Sequence, residues 1–275
     1  AVAAAQQPRQ SQPPQQQLDL GDRLFIQVRT DKEEVYLNEQ VILVFRLYRK
    51  SLSLDDLQYT PPPTVGFIEE SLGKQKETRE LVNGVLYDVI ELKTALFPAS
   101  TGEMTIGPAS LKCNVLVRSQ RRRSGGEGFF GDMFDDSFFG GGGYFDRLSK
   151  YPIELKSNPL TVRVKPLPAG KPKDFKGAVG DYQMEAWLKP AKLKVGEPAN
   201  LTMKIVGTGN VGSLAAPVVE GLEGFKTYDS ESKVNLQERI DAIGGEKVFE
   251  KVLIPQKAGK LKLPAVRFSF FNARL

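Results

Sequence analysis

Hydrophobic residues along the chain alternate with polar ones in short runs, the period of two that turns one face of a β-strand towards a core. Val41, Leu43, Phe45 and Leu47 follow it, and so do Ala199, Leu201, Met203 and Ile205. Both runs lie in a repeat, because Asp31–Leu47 (DKEEVYLNEQVILVFRL) recurs as Lys189–Ile205 (KPAKLKVGEPANLTMKI). Each copy has a short alternating run, a polar break at Asn38-Glu39 or Gly196-Glu197, and then the longer run. Both therefore predict strand, tight turn, strand.

The correspondence continues beyond this core. Gly66-Phe67 matches Gly224-Phe225, and each pair predicts a bend followed by an aromatic plug for the core. Tyr59–Thr64, YTPPPT, predicts a strand-free crossover, since successive prolines cannot donate to a ladder. Asn83-Gly84 between Glu80-Leu81-Val82 and Val85-Leu86-Tyr87 is the strongest hairpin signal, and Gly244-Gly245 between Ile243 and Val248 is the expected equivalent. Phe97-Pro98 and Thr101-Gly102 match Ile254-Pro255 and Ala258-Gly259, while Met104 and Ile106 match Leu261 and Leu263. About seven short strands per copy, with no segment of helical period, predict an all-β protein of two tandem immunoglobulin-like β-sandwich domains. The cysteine pair of antibody domains is absent, and the sole tryptophan, Trp187, falls on the opening strand of its copy.

Composition sets the boundaries. Residues 1–17, AVAAAQQPRQSQPPQQQ, hold too little apolar surface to offset ordering and read as a disordered Gln/Pro linker. The first sandwich spans 18–167. The run PLPAGKPKDFK supplies a semi-rigid Pro/Lys linker at 168–176, and the second sandwich spans 177–275. This second copy reaches Phe268, Phe270 and Phe271 but has no counterpart of the alternating run Leu155–Val164. It is expected to lack its last strand and to leave an edge open.

One segment has no equivalent in the second copy. Residues 119–150, SQRRRSGGEGFFGDMFDDSFFGGGGYFDRLSK, form a Gly/Phe/Asp-rich insertion in which no strand or helix can be written. Its aromatic and thioether side chains, Phe129, Phe130, Met133, Phe134, Phe138, Phe139, Tyr144 and Phe145, are candidate anchors for docking a partner. The alternative is a low-complexity loop whose phenylalanines fold back on the sandwich. Asp132, Asp135, Asp136 and Asp146 oppose insertion into anionic lipid, and their spacing matches no calcium loop.

Charge and reactive side chains narrow the function further. The balance of 38 basic and 33 acidic residues gives +5, and the dense basic run Arg121–Arg123 lies in a loop, so no nucleic-acid partner is expected. The chain has no histidine, which removes the commonest general base and metal ligand together. Cys113 is the one cysteine and alternates with Leu111, Val115 and Val117, the placement of a core residue. No segment approaches the ~20 apolar residues of a membrane helix, and the start at Ala1 without a leader reads as a fragment of a longer protein. There is no glycine-flanked serine elbow and no phosphate-binding glycine loop. Glu39 and Glu197, the best conceivable acids, sit at turns, where accepting amide hydrogen bonds is their expected work. No enzymatic activity, cofactor, metal or small-molecule substrate is expected.

The assembled motifs resemble the BatD, or oxygen-tolerance, family of bacterial exported proteins. The resemblance rests on DKEEVYLNEQVILVFRLYRK, on NGVLYDVIELKTALFPASTGEMTIGP, and on the FFGD and MFDDSFFG loop followed by SNPLTVRVKPLP. It continues in VGDYQMEAWLKPAKLKVGEPANLTMKIVGTGN and KVFEKVLIPQKAGKLKLPAVRFSFF, and so covers nearly everything from Leu18 to Asn272. It implies a periplasmic, envelope location with a C-terminal anchor in the inner membrane, absent from this fragment. It also implies partnership with von Willebrand factor A-domain Bat proteins and a MoxR-type ATPase, and a role in tolerance of oxygen or other stress. The family carries no established catalytic residues. Two readings follow: a non-enzymatic scaffold that binds envelope proteins through sheet edges or the insertion, and an extracellular glycan- or cell-wall-binding module using Trp187 and Tyr182.

Overall fold

The computed structural model describes residues 20–118, 148–239 and 242–274. Among them there is no α-helix, only a 3-10 turn at Gly21–Arg23. The first copy of the repeat comprises β1 (Leu24–Thr30), β2 (Glu34–Tyr36), β3 (Val41–Arg49), β4 (Ser53–Thr60), β5 (Phe67–Ser71) and β6 (Lys76–Val82). It continues with β7 (Val85–Pro98), β8 (Gly102–Ile106), β9 (Ser110–Arg118), β10 (Leu148–Lys156) and β11 (Leu160–Lys165). The second comprises β12 (Gly180–Lys189), β13 (Ala199–Gly209), β14 (Val218–Val219), β15 (Phe225–Asp229), β16 (Lys233–Arg239), β17 (Ala242–Pro255) and β18 (Val266–Arg267).

The main sheet is built identically in both copies. The order β1-β3-β7-β5, with β6 also on β7, returns as β12-β13-β17-β15, with β16 also on β17. Even the register is kept, since Val41 faces Leu96 and its counterpart Ala199 faces Leu253. In the first copy two further sheets, β10-β9-β4 and β2-β11-β8, close the opposite layer. Leu24, Leu43, Phe45 and Leu47 from one layer pack with Leu111, Cys113, Val115, Ile106, Val162 and Val164 from the other, and together they form one buried cluster. The second layer of the second copy has a single pair, β14 with β18. The architecture is all-β and immunoglobulin-like, as the alternation implied.

β3 departs from that alternation for a reason outside its own copy. Val41–Phe45 is buried at every position. The odd positions face the sandwich core, whereas Ile42 and Val44 join Leu72, Ala95, Phe97 and Ile243 of β17 in a cluster between the copies. On β13 the corresponding residues are Asn200 and Thr202, and there the pattern alternates cleanly. The junction also holds polar contacts: the Asn38 side-chain amide donates to the Gly177 carbonyl at 2.8 Å, and the Ile243 amide donates to Gln40 Oε1 at 2.9 Å. Tyr36 meets the ring of Phe271 edge-on at 4.9 Å.

Several expectations are corrected. Gly244-Gly245 is not a turn but part of β17, opposite Gln237 and Leu236. Glycine is needed there because the flanking strands press close: a Cβ at Gly244 would lie 2.4 Å from the Gly207 carbonyl oxygen, and one at Gly245 2.2 Å from that of Asn235. The hairpin is made by β16 and β17, with Arg239 opposite Ala242. The crossover is shorter than YTPPPT, because Tyr59 and Thr60 still pair with Leu111 and Ser110. Leu148–Lys150, expected within the insertion, opens β10 opposite Arg118, Val117 and Leu116. Among the described residues the first copy has eleven strands rather than about seven.

Candidate interaction surface

The two polar breaks behave alike in detail. Asn38 and Gly196 take positive φ of 61° and 87°, the left-handed step that reverses the chain. Glu39 accepts a hydrogen bond from the Tyr36 amide at 2.8 Å, and Glu197 accepts one from the Lys194 amide at 2.7 Å. Both carboxylates are therefore turn staples. Lys32 reinforces the first at 2.5 Å.

Next to these turns the copies diverge. In the first, β11 runs between β2, parallel, and β8, antiparallel. The Arg163 amide donates to the Glu33 carbonyl and the Leu37 amide to that of Lys165. Val162 and Val164 drive into the core, leaving Val35 and Ile106 essentially without solvent contact. Arg163 and Lys165 point outward, Arg163 reaching Glu34 at 4.0 Å and Glu103 at 3.7 Å, and Lys165 reaching Glu34 at 2.9 Å.

The second copy keeps both walls of this arrangement and lacks the strand between them among the described residues. Leu193 and Val195 correspond to Val35 and Leu37, and Leu261 and Leu263 to Met104 and Ile106. None of the four lies in a strand. Exposure rises from 8% at Met104 to 37% at Leu261, and Val195 reaches 53%. The result is a groove of ≈ 810 Å³ lined by Lys192–Val195 on one side, by Lys257, Ala258, Gly259, Leu261 and Leu263 on the other, and by Ala199, Phe225 and Pro255. At its rim the Val195 amide and the Ala191 carbonyl, counterparts of groups that bind β11, have no protein partner among the described residues. Sequence reasoning expected an open edge in this copy and did not name the groove. The signal was available, since Leu193, Val195, Leu261 and Leu263 keep apolar character with no strand to cover them.

Other candidates are placed as follows. Phe129, Phe130, Met133, Phe134, Phe138, Phe139, Tyr144 and Phe145 lie outside the described residues. Tyr182 is buried and its hydroxyl donates to the Val179 carbonyl at 3.2 Å, while Trp187 is 37% exposed, so the two do not form one aromatic platform. Cys113 sits in the first core, and burial pushes its thiol up from the ordinary value. The Lys247 ammonium is buried against the Gly212 and Leu214 carbonyls at 2.7 and 2.8 Å, and desolvation holds its pKa below the usual lysine range. Among the described residues no three Cys, Asp or Glu side chains gather to hold a metal. No helix there is long and apolar enough to cross a membrane.

No curated protein matches the chain. Three solved structures align over most of it at low similarity. The Escherichia coli adhesin FdeC shares 14% identity over 86% of this chain and 57% of its own, with a TM-score of 0.20. The Yersinia pseudotuberculosis adhesin InvE shares 13% over 86% and 52%, with 0.22. The C-terminal domain of the Streptococcus agalactiae AgI/II polypeptide BspA shares 8% over 85% and 92%, with 0.20. The chain thus spans little more than half of the first two structures. A family model described as the BatD DUF11-like domain matches residues 186–274, which run from the end of β12 through both walls of the groove to the end of the described chain. Over residues 186–274, within the second copy, the chain is similar to the BatD DUF11-like domain.

Proposed function

We propose that this chain is a non-enzymatic scaffold of the cell envelope whose work is to bind other envelope proteins. It is placed in the periplasm with its full-length form held at the inner membrane, and von Willebrand factor A-domain proteins of a MoxR-associated stress-tolerance complex are its partners. The observation that carries this reading is the likeness of residues 186–274 to the BatD DUF11-like domain, in an all-β body that spends its irregular features on an open edge and apolar groove. Residues 18–167 and 177–275 act as two domains joined at 168–176, and the insertion at 119–150, with Phe129, Phe130, Met133, Phe134, Phe138, Phe139, Tyr144 and Phe145 as anchors, is a second contact. The glycan reading is less well supported, because Trp187 stands without Tyr182 beside it at the surface.

Affinity purification of the full-length protein from its own envelope tests the proposal. A von Willebrand factor A-domain protein is expected in the eluate, and its absence overturns the partner assignment. Deletion of 125–146 is expected to leave folding intact and abolish that capture. Undiminished capture removes the insertion as the contact.

A further inference from the structure

Lys247 occupies a place that the first copy gives to an apolar residue. On β17 it lies opposite Ile205, as Ile90 of β7 lies opposite Leu47, and it is buried. Burying an ammonium costs stability unless its donors are met. Here backbone meets them: Nζ donates to the Gly212 and Leu214 carbonyls and stands 5.3 Å from the centre of the Phe249 ring. The segment that it holds accounts for the exchange. In the first copy the chain leaves β3 and enters β4, where Ser53, Leu54 and Asp55 pair with β9. Their counterparts, Val211, Gly212 and Ser213, belong to no strand. Carbonyls outside a ladder need other donors when water is excluded, and a lysine carries donors and no acceptor.

The same segment reaches the first copy. Asn210 is buried; its Oδ1 accepts from the Ser213 amide at 3.1 Å, and its Nδ2 donates to Asn38 Oδ1 at 3.4 Å. Asn38 in turn donates to the Gly177 carbonyl, and the Lys176 ammonium donates to the Ala216 carbonyl at 3.1 Å. A turn of the first copy, the end of the linker and the loop of the second copy thus meet at one place. Val211 and Leu214 anchor that loop in the second core.

We propose that residues 210–216 are a strap that fixes the orientation of the two copies, and that Lys247 is the residue that positions it. The apolar cluster around Ile243 holds the copies together, but apolar burial has no preferred direction, whereas hydrogen bonds do. Without the Lys247 ammonium two carbonyls lack their donor, the loop loosens, and the copies rock about the Ile243 cluster while each keeps its fold. This inference concerns the chain's own shape and does not depend on the envelope-binding reading.

Pulsed electron paramagnetic resonance tests it, with spin labels at Glu103→Cys in the first copy and Glu220→Cys in the second, both at exposed sites. Cys113 is buried and takes no label. The labelled parent is expected to give a narrow distance distribution. Lys247→Ile, which installs the residue of the first copy, is expected to broaden it. The Ser213 and Leu214 amides are expected to exchange about tenfold faster, the size of a lost hydrogen bond to a charged group, while β12 and β13 keep their protection. Asn210→Ala, which leaves Lys247 in place, is expected to broaden the distribution as well. Faster loop exchange with an unchanged distribution would make Lys247 a brace of the second copy alone and overturns the proposal. If Lys247→Ile also strips protection from β13 and β17, Asn210→Ala decides, and a distribution as narrow as the parent's in that variant overturns the proposal.

Discussion

At the scale of single residues, the buried titratable groups set how the protein responds to alkali. Burial raises the Cys113 thiol above its ordinary 9.0 and lifts the Tyr59 hydroxyl from 10.0 to about 12, and burial also raises Tyr182. The folded chain keeps these protons at a pH where the unfolded chain releases them. Their contribution is present below the unfolded values and is lost as pH rises through the folded ones. Lys247 has the opposite sign: its folded pKa is depressed, so its contribution grows as pH approaches 10.5. Three groups against one predict a melting temperature that falls between pH 9 and pH 12. Cys113→Ala is expected to move the onset of the fall upward while lowering the melting temperature at neutral pH through the cavity it leaves. Thermal melts across this range check it, and a flat or rising curve would refute the assignment.

At the scale of elements, the turn that precedes β3 and β13 was legible because its geometry demands particular side chains. Asn38 or glycine supplies the positive φ, and a glutamate one residue later reaches back to an amide. Glu39→Ala leaves the Tyr36 amide without its acceptor and Lys32 without its carboxylate partner and is expected to lower stability by ~1–2 kcal/mol. Glu197→Ala, at an exposed site with one such bond, is expected to lower it by less than ~1 kcal/mol. Denaturant midpoints of the two variants decide this, and equal losses would show that the staple is not what matters. The hairpin of the second copy was illegible for a related reason. Gly244-Gly245 reads locally as a turn, yet its glycines answer to neighbouring backbones rather than to chain reversal. Close approach by strands distant in sequence leaves no mark in local pattern. The extent of β4 was missed because prolines mark where a ladder must end, and Thr60 precedes them. The groove was missed because its walls read as ordinary strands, whereas among the described residues no strand pairs them.

At the scale of the whole molecule, the copies are held by the cluster of Ile42, Val44, Leu72, Ala95, Phe97 and Ile243. The run VILVF, set against ANLTM in the other copy, was read as alternation with one buried face, because the element that covers its second face is distant in sequence. Ile243 is 2% exposed. Ile243→Asp places a charge there at a loss beyond the ~2–5 kcal/mol of truncating a buried isoleucine. The expected outcome is separation of the copies, read as a larger radius of gyration in X-ray scattering and faster proteolysis at 168–176 with unchanged β-sheet circular dichroism. Unaltered compactness would place the cohesion elsewhere. Tandem duplicates face a hazard of their own during folding, because a segment made for one can nest in the other. The exchange of Glu34 and Glu103 for Lys192 and Lys260 meets that hazard, since Arg163 would face lysines at the wrong address and β11 is steered to close on its own copy.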